Sequence, residues 1–101
     1  MSGAVSIYEG SIYLPNQLVD TYFRGIDAVI VLIQQGELMV MPVHQATSGG
    51  SLLKIKNAAG DRVVQARDVF QNQDMLDFRT DNLAVNWSTE KSALCAILVN
   101  N

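Results

Sequence analysis

The 101-residue chain has one cysteine and one histidine. Cys95 alone cannot form an intrachain disulfide, which excludes a disulfide-stabilised scaffold. His44 and Cys95 are too far apart in the sequence to suggest a zinc site, and we expect no metal and no cofactor. The apolar run around Cys95, residues 93–99, predicts a buried and unreactive thiol with a raised pKa.

Charge is also sparse. Charged residues make up 17 % of the chain and hydrophobic residues 49 %, a balance that excludes intrinsic disorder. The net charge of −3 makes nucleic-acid binding unlikely, because such surfaces are usually basic. The longest apolar run, residues 28–33, is far shorter than the ~20 residues that cross a bilayer. With no basic N-terminal segment typical of a signal peptide, we expect a cytoplasmic protein without membrane contact.

A chain of this length is expected to form a single domain, residues 1–101. A domain of this size buries only roughly 60–70 % of the surface of its unfolded chain. Some of its many apolar residues must therefore stay exposed or be covered by a second copy of the chain.

One segment shows the periodicity of a helix. Pro15 suits a first helical position, and Gly25 suits the left-handed residue after the last turn, where Arg24 would face the negative end of the helix dipole. The apolar residues between them recur on one helical face: Leu18, Val19, Tyr22, Phe23 and Ile26.

The first of three predicted hairpins pairs residues 27–34 with 37–43 about Gln35-Gly36. A two-residue loop places Ile33 opposite Leu38 and Val31 opposite Val40. Both faces of this hairpin are apolar, which is typical of strands buried on both sides. One short helix can cover only one face, so the other face predicts a homodimer.

The second predicted hairpin pairs residues 51–57 with 61–66, through a type I turn with Gly60 in a left-handed conformation. Pairing Asn57 with Asp61 places Lys56 opposite Arg62. A short helix over residues 67–73 is expected to follow, with Val69 and Phe70 facing inward.

The third predicted hairpin pairs residues 83–88 with 92–99, after a turn at Asp81-Asn82. Leu83, Val85 and Trp87 alternate as in a half-buried strand; the stretch after Glu90 is also compatible with a helix. The pattern as a whole predicts an α+β fold: a strongly bent antiparallel sheet or small open barrel built from hairpins, with one or two short helices.

In the predicted pairing, one face of the second hairpin is basic. It carries Lys54, Lys56 and Arg62, with Arg67 nearby. Taken alone, this cluster favours a solvated face neutralised by Asp61. The alternative is a face that binds an acidic protein or a small anionic ligand. Arg62 would then be the main anchor, because a guanidinium binds carboxylate or phosphate through two hydrogen bonds.

The loop of residues 44–51 is a second candidate contact region, through His44 and Ser48. Asp27 faces His44 at the open end of the first hairpin, and a carboxylate beside a histidine is half of a catalytic triad. Neither Ser48 nor Ser51 lies in a G-x-S-x-G motif. The residues therefore favour a strand-end pair without a catalytic role, and a catalytic Asp27–His44 pair is the alternative.

Residues 10–42 contain a further pattern. Its elements are Gly10-x-Ile12-x-Leu14-Pro15, a helix, Gly25-x-Asp27, and a valine-rich strand that turns at Gly36. This third of the chain resembles the AbrB/SpoVT swapped-hairpin family. The resemblance implies an interlocked dimer that binds DNA or a toxin through basic residues near the first strand. The corresponding positions here are not basic: Tyr8, Glu9, Ser11, Asn16 and Gln17.

The sequence thus favours a small non-enzymatic binding module that acts as a homo-oligomer, with contacts through residues 44–51 and the basic face of residues 54–62. One alternative is a small enzyme or ligand-binding barrel that uses Asp27 and His44. Another is a transcriptional regulator or antitoxin of the swapped-hairpin type.

Overall fold

A computed structural model describes residues 2–43 and 50–98. The strands and helices follow one another as β1 Ser2–Tyr8, β2 Ser11–Leu14, α1 Asn16–Tyr22, β3 Ala28–Gln34, β4 Glu37–Val43, β5 Ser51–Leu52, β6 Lys54–Ile55, β7 Arg62–Gln65, α2 Arg67–Asn72, β8 Arg79–Ser88 and β9 Ala93–Ile97.

The strands of the described residues form one antiparallel sheet in the order β5-β3-β4-β9-β8-β1-β2-β7-β6. Its two edge strands, β5 and β6, are separated in the chain by Leu53 alone. The segment they form pairs with β3 on one side and with β7 on the other, so the sheet curls into a nearly closed barrel. The prediction of a bent sheet or small barrel is confirmed, although the fold is mainly β with two short helices.

Two hairpins turn through consecutive left-handed residues, as a type I′ turn requires. In the β3–β4 hairpin, Gln35 and Gly36 have φ angles of 53° and 79°, and every predicted pair from Ile33–Leu38 to Val29–Pro42 forms. Glu9 and Gly10 make the same kind of turn between β1 and β2, with φ angles of 50° and 81°. The β1–β2 hairpin was not predicted from the sequence.

The predicted register of the β6–β7 hairpin is wrong by one residue. Ile55, not Lys56, lies opposite Arg62, and Lys56 N donates to Asp61 O at 2.8 Å. The cause is the Asn57 side chain, whose Oδ1 accepts hydrogen bonds from the Ala59 and Asp61 amides and holds Asn57 in the turn. Because side chains alternate along a strand, the shift moves Arg62 to the opposite face from Lys54 and Lys56.

The two helices lie at opposite ends of the barrel. α1 follows the Leu14 end of β2, whereas α2 follows Gln65, which pairs with Ser11 at the other end. α1 ends at Tyr22, before the predicted last turn, and Arg24 lies beyond it. Gly25 has the expected positive φ of 73°.

The core is a single cluster inside the barrel, to which both helices contribute. Leu18, Val19 and Phe23 of the α1 region and Phe70 of α2 are buried, as the sequence predicts. Trp87 of β8 packs against the end of α1. Its ring stacks on Tyr22 with centroids 4.8 Å apart and meets the edge of Phe23 at 6.3 Å.

The C-terminal segment is a strand, and β8 pairs with β9 as predicted. Asp81 and Asn82 do not form a turn, which corrects the prediction; they lie within β8. The register of β1 against β8 shifts between Val5 and Ile7, where Ser6 alone spans the two residues Asp81 and Asn82. Ser6 Oγ donates to Asp81 O at 3.0 Å across this bulge.

Candidate functional site

Arg62 lies at the start of β7, on the inward side of the barrel wall. It pairs with Leu14 and is followed two residues later by Val64, both of which are buried. The side chain is half-buried, and its Nη1 donates to the Leu53 carbonyl oxygen at 3.0 Å. Arg62 therefore belongs to the end of the barrel next to α1, not to the outer hairpin face.

None of the aspartates and glutamates pairs with Arg62. All ten aspartates and glutamates of the chain are in the described ranges, 2–43 and 50–98. The ion pairs among those residues are Arg24–Asp20 at 3.4 Å and Lys91–Glu37 at 2.8 Å. The guanidinium has five N–H donors, so its remaining donors are available to water or to a ligand.

Arg62 lines a cleft of about 600 Å³ between α1 and the turn of residues 57–60. Asn16, Asp20 and Arg24 line the α1 side, and Gly60 lines the turn. The two arginines and one aspartate give the cleft a net positive charge, in contrast with the net charge of −3 on the whole chain.

Asp61, next to Arg62, joins the turn to α1. Its Oδ1 accepts from the Asn16 amide at 2.8 Å and its Oδ2 from Asn57 Nδ2 at 3.0 Å. Asn16 Nδ2 in turn donates to Ala59 O at 2.8 Å. The hydrogen bonds from Asn57 and Asn16 lower the pKa of Asp61, because they stabilise the ionised carboxylate. The carboxylate thus fixes the wall of the cleft and leaves Arg62 unpaired.

Lys54 and Lys56 lie on the outer face of the hairpin. Lys54 is opposite Val63, and Lys56 Nζ lies 4.8 Å from the centre of the Tyr13 ring, in a cation–π contact. The predicted basic face is thus divided, with two lysines outside and Arg62 on the inward side.

Arg67 is at the opposite end of the barrel, at the start of α2. With Arg79, Glu9 and Asp77 it lines a second cleft of about 680 Å³. The Arg79 guanidinium lies 4.3 Å from the centre of the Tyr8 ring. Both arginines are exposed, whereas Arg62 is half-buried.

Asp27 is exposed, and its backbone carbonyl accepts from the Leu53 amide at 2.8 Å. The β3–β4 pairing reaches Ala28 and Val43, one step short of the predicted Asp27–His44 pair. His44 and Ser48 lie outside the described residues, so the proposed catalytic pair and most of the 44–51 loop stay predictions. In the described ranges, no three His, Cys, Asp or Glu residues form a metal-binding group.

The outer surface of β5, β3, β4 and β9, here called the outer apolar face, is a second candidate region. Four of the six large apolar side chains that are exposed in the described residues lie on it: Ile30, Leu32, Leu52 and Ile97. Met39 and Met41 lie between them, opposite Leu32 and Ile30 respectively. The only charged residue of these strands on this face is Glu37, which forms an ion pair with Lys91.

Cys95 is part of the outer apolar face, opposite Met39. The prediction of a core thiol is wrong in position, because Cys95 is half-buried on the outer wall. Burial nevertheless raises its pKa, as expected. At the edge of the face, the hydrogen bond to Glu37 raises the pKa of Lys91.

No helix among the described residues is long and apolar enough to span a bilayer. Comparison of the chain with family models, curated proteins and solved structures gave no match.

Sequence reasoning missed the cleft as an assembled site, although it singled out Arg62. Asn16 and Asp61 are 45 residues apart, and nothing local to either residue indicates that they meet. It also missed β1, and with it Tyr8 beside Arg79. The alternation of Val5, Ile7, Ile12 and Leu14 around Glu9-Gly10 is the signal that could have identified that hairpin.

Proposed function

We propose that this chain is a small non-enzymatic binding module that acts as a homodimer, with a second copy covering the outer apolar face. The observation that carries the proposal is the clustering of Ile30, Leu32, Leu52 and Ile97 on one surface, with the methionines between them. Exposed apolar side chains scattered singly are normal, whereas a contiguous patch marks an interaction surface.

Charge favours a second copy as the occupant of this face. Two copies of a chain with a net charge of −3 repel each other over most of their surface. The outer apolar face is locally neutral, since its one carboxylate, Glu37, is paired with Lys91. It is therefore the surface on which two identical chains approach with little repulsion, and a two-fold interface needs such a self-complementary patch.

The size of the face predicts a weak dimer. β3 has seven residues. At ~3.3 Å per residue, with four strands ~4.8 Å apart, the face covers roughly 400 Å². Stable complexes bury about 800 Å² on each partner. We therefore expect dissociation in the micromolar range rather than a permanent dimer.

Sedimentation velocity across a dilution series tests the proposal. The wild-type chain is expected to approach twice its 11.1 kDa mass as its concentration rises. Leu32→Lys, on the outer apolar face, is expected to stay monomeric. Ile55→Lys is the matched control, because Ile55 is 69 % exposed but lies on β6, away from that face.

Two results would contradict the proposal. One is a wild-type chain that stays monomeric at every concentration up to about 1 mM. The other is a dimer that Leu32→Lys leaves intact, which would place the interface on another surface.

A further inference from the structure

We propose that the cleft between α1 and the 57–60 turn is a binding site for a small carboxylate ligand, with Arg62 as its anchor. The inference names the ligand class of the proposed binding module. It does not depend on the dimer, because none of the residues that line the cleft lies on the outer apolar face.

Arg62 is half-buried, and its charge has no carboxylate partner among the described residues. A charged group that loses hydration is stabilised when an opposite charge pairs with it. Asp61 is adjacent in sequence, but its two oxygens accept from Asn16 and Asn57. One Arg62 hydrogen bond goes to a neutral carbonyl oxygen, that of Leu53. An anion in the cleft would place beside Arg62 the negative charge that the described residues do not provide.

The cleft is also preorganised. The Asp61–Asn16 and Asn16–Ala59 hydrogen bonds hold the turn against the start of α1 at 2.8 Å each. Leu53, which accepts the hydrogen bond from Arg62, is itself buried between β5 and β6. A ligand therefore meets a guanidinium whose position is already fixed, which lowers the entropic cost of binding.

The groups that line the cleft favour a carboxylate over a phosphate. A planar guanidinium matches a carboxylate through two parallel hydrogen bonds. Phosphate sites usually add backbone amides or several cations. Here the Asn16 amide is occupied by Asp61, Arg24 is paired with Asp20, and the Asp20 carboxylate lines the same cleft. This arrangement disfavours a dianion more than it disfavours a single carboxylate.

Titration of the ¹⁵N-labelled protein with sodium acetate, sodium propionate and sodium phosphate at constant ionic strength tests the assignment by NMR. We expect the carboxylates to cause saturable shifts of the Ala59 and Gly60 amides and of Arg62 Nε–Hε. Affinities should be millimolar, since ligands with so few atoms bind weakly. Phosphate is expected to bind more weakly than either carboxylate.

Substitutions of Arg62 test whether this residue anchors the carboxylate ligand. Arg62→Gln is expected to weaken carboxylate binding about tenfold or more, as expected for loss of a charge-assisted pair. Lys54→Gln removes the same charge from the outer face and is expected to change affinity less than about twofold. Arg62→Lys keeps the charge but not the planar fork, and an intermediate loss is expected. It also provides a folded comparison if Arg62→Gln does not fold.

Three results would overturn the assignment: no saturable shift up to about 100 mM carboxylate, equal affinity in wild type and both Arg62 variants, or tighter binding of phosphate. The Leu32→Lys chain separates this inference from the proposed dimer. Carboxylate binding is expected to persist in that variant, and loss of binding there would show that the site needs the second copy.

Discussion

The Asp61 carboxylate accepts a hydrogen bond from the Asn16 amide at 2.8 Å and so joins the β6–β7 turn to the first residue of α1. The residue before α1, Pro15, has no side-chain acceptor to cap the helix. Asp61 supplies that acceptor from a distant part of the chain. This one contact stabilises the helix start and also shapes the cleft that contains Arg62.

The Asp61 contact predicts a pH dependence of stability. Its pKa is lower in the folded chain than in the unfolded chain, so ionised Asp61 stabilises the fold at pH values above the unfolded pKa of about 3.9. That contribution is lost as the pH falls through the lower, folded pKa. Urea unfolding of wild type and Asp61→Asn should give midpoints that differ at pH 7 and converge in acid.

Asp77→Asn is the control for this comparison, because Asp77 is exposed and forms no ion pair within the described residues. Its midpoint should follow the wild type at both pH values. A wild type and an Asp61→Asn variant with the same midpoint at pH 7 would show that the carboxylate does not stabilise the turn.

Gly10 and Gly25 form a second pair for comparison. Both have a positive φ, 81° and 73°, which disfavours any side chain. A Cβ on Gly10 would lie 2.7 Å from the Arg67 backbone, whereas a Cβ on Gly25 has no neighbour within 4 Å. Gly25→Ala should therefore cost about 1 kcal/mol of unfolding free energy and Gly10→Ala clearly more. Equal losses in chemical denaturation would mean that the β1–β2 turn does not pack on α2.

Phe70 tests the packing of α2 on the barrel. It is fully buried, although α2 has only six residues. Phe70→Ala should lower the unfolding free energy by roughly 3–5 kcal/mol, because the cavity it leaves cannot collapse completely. Tyr8→Ala, at a residue that is 47 % exposed, should cost much less. Similar losses for the two variants, measured in guanidinium, would contradict this position of α2.

Cys95 reports on the outer apolar face. Burial raises the pKa of its thiol, so alkylation should be slow at pH 7. The alkylation rate should also keep increasing with pH in the range where an ordinary cysteine is already fully ionised. A second copy on this face would protect Cys95 further. The labelling rate per chain should therefore increase as the wild type is diluted, and it should be independent of concentration in Leu32→Lys. A wild-type labelling rate that does not change on dilution would contradict a dimer formed through the outer apolar face.

The sequence predicts the β3–β4 hairpin pair by pair, because a two-residue turn at Gln35-Gly36 fixes the register of the two strands. The β6–β7 hairpin was less predictable. Its turn also contains Gly60 in the expected left-handed conformation. However, the hydrogen bonds of the Asn57 side chain keep Asn57 in the turn, so Asn57 does not pair with Asp61 as predicted. This one-residue shift of the register determines the face of the sheet on which Arg62 lies.

The remaining differences have a common physical origin in long-range contacts. Ser6 spans Asp81 and Asn82 because β8 must stay paired with β1, so a sequence typical of a turn becomes a bulge within a strand. The cleft likewise depends on Asn16 meeting Asp61. Local patterns predict strands and turns, but the chemistry of this site arises where distant segments pack together.

The most direct test of the proposed dimer is an isotope-filtered NOE experiment. Labelled and unlabelled chains are mixed at the highest concentration that stays soluble, and only contacts between copies are recorded. We predict NOEs between copies from the methyl groups of Ile30, Leu32 and Ile97, and none from Ile55. Intermolecular NOEs confined to other surfaces, or none at all, would contradict a homodimer formed through the outer apolar face.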